Sequence, residues 1–122
     1  MTSWAKLRRL AMEEVDATLD ALPAPLRERA ENLPVTLEPQ PNVAQRRDGI
    51  QSDVLGLFVG AEFADQEGTG LPPQIILFLQ NIWEQAEEVE ELFREEVHKT
   101  YLHELGHYLG LDEDGLIQRG LE

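Results

Sequence analysis

The chain has 122 residues, 24 acidic against 10 basic side chains, a formal charge of −14 at pH 7 and no cysteine. That length suits one domain over residues 1–122 with a single modest core, and the missing cysteine excludes disulfide and thiolate chemistry. No concentrated basic patch is visible for nucleic acid or an anionic membrane, and the longest apolar run, residues 75–79, is far too short to span a bilayer.

The acidity is concentrated in the second half, where residues 60–122 carry only Arg94, Lys99 and Arg119 as cations. Such a field favours partners with cationic segments and equally serves solubility. The N-terminus reads as an amphipathic segment carrying acids rather than a secretory leader, so the expected location is cytoplasmic.

From the start, Ser3 is placed to cap a helix in which Trp4, Leu7, Ala11, Val15, Thr18 and Leu22 recur at helical spacing, Trp4 as a packing residue. Pro23 and Pro25 end it. A short helix is expected over residues 26–32, with Leu26, Ala30 and Leu33 inward. Pro34 breaks it, and residues 35–38 read as a strand. Residues 39–53, with Pro39, Pro41, Asn42 and Gly49, read as a loop carrying Arg46 and Arg47 as a solvated pair. Over residues 54–63, Leu55, Leu57 and Val59 alternate with Gly56, Phe58 and Gly60. This is a strand pattern whose glycines mark close approach of another backbone, or a bulge. A loop over residues 64–73 leads to the run 75–79, apolar at every position like a strand covered on both faces.

Asn81, with Glu84 three residues on, has a capping-box pattern, so a helix is expected to begin there. Apolar positions Ile82, Trp83, Ala86, Val89, Leu92, Phe93 and Val97 continue toward residue 100. One unbroken helix over residues 82–109 would be about 42 Å long, more than so small a body accommodates. A break is therefore expected near residues 87–89, although neither Gly nor Pro marks it, and the last helix then starts near Glu88 with acids in its first turn. Leu102, Leu105 and Leu109 form its core side, while Glu96, Thr100, His103 and His107 share another face. His98 lies about 140° round from His103 and reads as a packed or boundary histidine; Tyr101 and Tyr108 read as packing residues.

That last helix carries the chemistry. His103, Glu104 and His107 form H-E-x-x-H. Residues four apart on a helix lie about 40° round and about 6 Å along from each other, so both imidazoles can reach one metal ion. Glu104 projects about 60° beyond His107, beside the ion, where a general base takes a proton from activated water. Gly110 can adopt the left-handed conformation that ends a helix, and Asp112, Glu113 and Asp114 follow directly. A chain reversal there brings one carboxylate of the triplet to the third metal position. Two His and a carboxylate with the fourth position open is a catalytic zinc arrangement. Gly106 inside the helix suggests a close approach, and Thr100, one turn before His103, is a supporting donor. The expected cofactor is one Zn²⁺ and the expected partner a peptide or protein substrate.

The sequence resembles the small bacterial zincin-like metallopeptidases. The resemblance rests on residues 26–29, 55–58 and 73–78, and above all on His-Glu-Leu-Gly-His-Tyr-Leu-Gly-Leu-Asp-Glu-Asp at 103–114. It implies an α+β fold: a minimal zincin-like domain with a small mixed β-sheet packed on an active-site helix and a short terminal helix, beside the N-terminal helix read above. By the same resemblance His103 and His107 match zinc ligands, Glu104 the catalytic base and Glu113 the third ligand. The implied activity is zinc-dependent peptide hydrolysis, with substrate paired to the strand at residues 54–63. The alternative is a non-catalytic, metal-bearing module that captures peptides or a protein on the same scaffold.

Overall fold

Ser3 opens the first helix, its hydroxyl accepting a hydrogen bond from the Lys6 amide. The computed structural model describes residues 2–60 and 72–111. In chain order it contains α1 (Trp4–Ala21), α2 (Ala24–Ala30), β1 (Val35–Glu38), α3 (Val43–Arg47), β2 (Gly56–Val59), β3 (Gln74–Phe78), α4 (Leu79–Gln85) and α5 (Glu90–Leu109). The class is α+β, as expected. No helix among the described residues is long and apolar enough to cross a membrane.

The three strands form one mixed sheet in the order β1-β3-β2. β1 runs parallel to β3, pairing Val35 with Ile75, and β2 runs antiparallel, pairing Gly56 with Leu77. The central position of β3 explains its composition. Ile75, Ile76, Leu77 and Phe78 are all buried, as a strand covered on both faces requires.

α1 and α5 lie side by side and run in the same direction. Three cross-links advance together along both helices: Lys6 to Glu90 at 3.0 Å, Arg94 to Glu13 and Glu14 at 3.2 and 3.1 Å, and Thr18 to His98 at 2.7 Å. The Thr18 hydroxyl donates to the Glu14 carbonyl, so it accepts from Nδ1–H of His98. His98 is thus a packed histidine on the α1 side, as expected. Surface ion pairs of this kind set alignment more than stability. Burial of Leu7, Leu10, Ala11 and Val15 in one cluster with Phe93, Val97, Tyr101 and Leu105 holds the two helices together.

Four expectations need correction. Trp4 is 38% exposed rather than packed; it is the first helical residue, where no preceding turn lies beneath a side chain that tilts toward the N-terminus. The stretch 39–53 is not all loop, because Asn42 and Gln45 cap each other reciprocally, both bonds 2.8 Å, and start α3. Asn81 does not begin its helix. α4 starts at Leu79 directly from β3, and Asn81 is a buried interior residue whose Nδ2 donates to the carbonyls of Ser52 and Val54, at 2.8 Å each. Val89 and Leu92, read as continuing the apolar series, are exposed. The helix break falls where expected, between α4 and α5. It is made by two glutamates, Glu87 and Glu88, both in the left-handed region at φ 56° and 61°.

Candidate metal centre

Around residues 100–108, α5 is buried over most of its circumference, because the sheet covers one side and α1 another. Thr100, Tyr101, Leu102, Glu104, Leu105, Gly106 and Tyr108 are buried, whereas His103 and His107 are exposed. Their Nε2 atoms stand 3.3 Å apart. A tetrahedral ion with bonds of about 2.0–2.1 Å holds neighbouring nitrogens about 3.3–3.4 Å apart, so the two rings already have the spacing of a shared ion. One donor atom each from His103, Glu104 and His107 lies within 4.8 Å of the others.

Glu104 is only 7% exposed, and its Oε2 has no hydrogen-bond partner among the described residues. Burial raises its carboxyl above the ordinary carboxylate range, while the neighbouring His107 and His103 pull in the opposite direction. A buried oxygen left unmatched costs about 1–3 kcal/mol. A divalent ion and a water at the imidazoles would offset that cost, so the donor set and the orphaned oxygen fit a metal.

The helix stops as the sequence suggests. Gly110 takes the left-handed conformation, φ 73° and ψ 27°. The Leu111 amide bonds the Gly106 carbonyl at 2.7 Å and the Gly110 amide bonds His107 at 3.3 Å. Together these form a Schellman cap that turns the chain off the helix axis. Asp112, Glu113 and Asp114, the expected source of the third ligand, lie outside the described residues, as do residues 61–71 and the expected terminal helix.

Beside the imidazoles runs an open groove of about 460 Å³, walled by Val54, Leu55 and Gly56 on one side and by Glu96, Lys99, Thr100 and Glu104 on the other. β2 closes tightly on α5 here. A β-carbon added to Gly56 would stand 2.7 Å from Thr100 Cγ2 and 3.3 Å from Glu104 Cγ. One turn on, Phe58 packs on Tyr108 with ring centroids 5.7 Å apart. Tyr101 and Tyr108 are therefore packing residues, as read. At Thr100 it is the methyl group that faces Gly56. Arg46 and Arg47 are exposed on α3. Two contributors escaped the sequence reading. Asn81 resembled a cap, and the contact marked by Gly56 is with side chains of the helix as well as with backbone.

A family model described as zincin-like metallopeptidase matches residues 30–121. The chain belongs to that family. The matched stretch contains all three strands, the groove and the histidine pair of this zincin-like protein, and leaves α1 outside. No curated protein matches the chain.

Proposed function

We propose that this zincin-like protein is a peptidase that uses one zinc ion held by His103, His107 and a carboxylate after Gly110, with Glu104 as the general base. Glu113 is the third ligand in this reading, from its place in the family pattern. The observation that carries the proposal is the pairing of two exposed imidazoles 3.3 Å apart with a buried carboxylate whose Oε2 has no hydrogen bond among the described residues.

When bound, zinc supplies polarisation of water and of the scissile carbonyl. The rest falls to the chain. The Glu104 carboxylate accepts a proton from the attacking water and returns it to the leaving amine. Its burial suits the first task, since a carboxylate whose proton affinity is shifted upward is a stronger base toward the attacking water.

Substrate orientation follows from β2, which pairs with no other described strand on its far side. Leu55 accepts from the Phe78 amide, so residues 55, 57 and 59 bond to β3 while the peptide groups of Gly56 and Phe58 face the edge that no described strand covers. An extended peptide pairing there runs past His103 and Glu104 along the groove. The acidity of the chain favours substrates with cationic segments.

The test loads wild-type protein and Glu104→Gln with zinc, verifies the metal by elemental analysis, and incubates both with a diverse peptide library before mass spectrometry. New termini are expected with wild type, and at least about 100-fold fewer with the variant. Retained but uncut peptides would replace peptidase by peptide capture. Absence of stoichiometric metal would defeat both.

A further inference from the structure

We propose that Gly56 and Asn81, neither of which carries a group able to react, are positioning residues for Glu104. This inference rests on the reading of Glu104 as the general base. Because Oε2 has no hydrogen bond among the described residues, the place of that carboxylate is set by the packing of its own stem.

What packs against the stem is β2. At Gly56 the strand lies so close to α5 that a β-carbon would be 2.7 Å from Thr100 Cγ2 and 3.3 Å from both Glu104 Cγ and the Ile76 carbonyl. The backbone at Gly56 has no positive φ, so only space, not conformation, demands glycine there. Thr100 acts as the spacer that fixes how near the strand comes.

The stretch that leads into the strand is held by α4 and β3. Asn81, buried in α4, gives both amide hydrogens to the carbonyls of Ser52 and Val54, and the next carbonyl, Leu55, accepts from the Phe78 amide at 2.9 Å. Three of the four residues preceding Gly56 are thereby fixed to α4 and β3. The line of force runs from Asn81 through residues 52–55 to Gly56, and from there to Thr100 and Glu104. A misplacement of about 1 Å at a reacting group can lower turnover about 100-fold.

The experiment compares Gly56→Ala, the double variant Gly56→Ala/Thr100→Ser, and Asn81→Asp in zinc-loaded, full-length protein. It reads kcat and KM separately, zinc content, and amide exchange. Gly56→Ala should lower kcat about 10- to 100-fold with zinc stoichiometry unchanged. Serine at position 100 removes the methyl that the new β-carbon meets, and should restore at least about tenfold of that loss. Asn81→Asp keeps the shape but removes both donors. It should speed exchange of the Phe78 amide while leaving Leu105 and Tyr108 protected, with kcat again lowered and zinc retained. An unchanged kcat in Gly56→Ala, a serine that restores nothing, or zinc lost together with activity overturns the proposal. If wild type binds zinc and cuts nothing, the peptidase reading falls instead. The positioning claim is then decided by a crystal structure of Gly56→Ala, and a Glu104 carboxylate that has not moved sinks it.

Discussion

Nε2 of His103 and Nε2 of His107 stand 3.3 Å apart, the edge length of a zinc tetrahedron. Two side chains so placed gain from an ion without first changing rotamer. Zinc at about 100 times its dissociation constant should stabilise the fold by about 2.7 kcal/mol, worth roughly 10 °C in the melting temperature of a chain this size. His103→Ala and His107→Ala should each abolish that shift in a thermal melt titrated with zinc.

Glu104→Gln should be more stable than wild type at neutral pH in metal-free protein. The sign follows from linkage. Burial raises the Glu104 carboxyl, so the folded state holds its proton to higher pH than the unfolded state. Its contribution is therefore fully present below the ordinary carboxylate range and is lost as pH rises through the raised value. The two proteins should unfold alike near pH 4 and differ by about 1 kcal/mol at pH 7 in urea titrations.

Among the three acids that follow Gly110, only one substitution should strongly weaken metal binding. Glu113→Gln should reduce zinc affinity at least about 100-fold in competition with a chelating dye, whereas Asp112→Asn and Asp114→Asn should change it far less. A large loss at Asp112 or Asp114 instead would reassign the third ligand.

Tyr101 supplies an alkaline signature. Its burial, with Asp16 adding to the effect, pushes the phenol up to about 12. The folded state thus retains a proton that the unfolded chain releases near 10, and stability should decline by up to about 3 kcal/mol as pH rises from 10 toward 12. Denaturant midpoints at pH 9 and pH 11 measure it. Tyr101→Phe should remove most of the slope, and Tyr108, whose phenol burial also raises, should account for the remainder.

The left-handed pair at Glu87 and Glu88 offers an easy gain. A non-glycine residue in that region is disfavoured by about 1–2 kcal/mol. Glu88→Gly should raise stability by about 1 kcal/mol in the same denaturant assay.

The geometry of the histidine pair was legible because it is local. A four-residue interval on a helix places two imidazoles side by side whatever the rest of the fold does, and Gly110 ends that helix through its own backbone freedom. Strand identity at residues 35–38 and 75–78 was equally plain, since β-branched and apolar runs leave little choice. What stayed hidden depends on contacts far apart in the chain. Asn81 bears the same residue type as a cap, and only the arrival of residues 52–54 from a distant loop makes it a clamp. The Asn42 and Gln45 pair had a visible capping pattern, yet Pro39 and Pro41 nearby argued for loop. The break at Glu87 and Glu88 was predictable from length but not from composition, because neither residue favours the conformation it adopts.

The alignment of α1 with α5 bears on where the protein can be cut. The family match begins at residue 30, yet α1 lies wholly before it and contributes Leu7, Leu10, Ala11 and Val15 to the cluster that contains Phe93, Val97 and Tyr101. A fragment trimmed to the matched stretch would keep every donor atom of the His-Glu-His group and bare an oily flank of the helix that carries them. Such a fragment should clump rather than turn over substrate, and silence from it would say nothing about the intact chain.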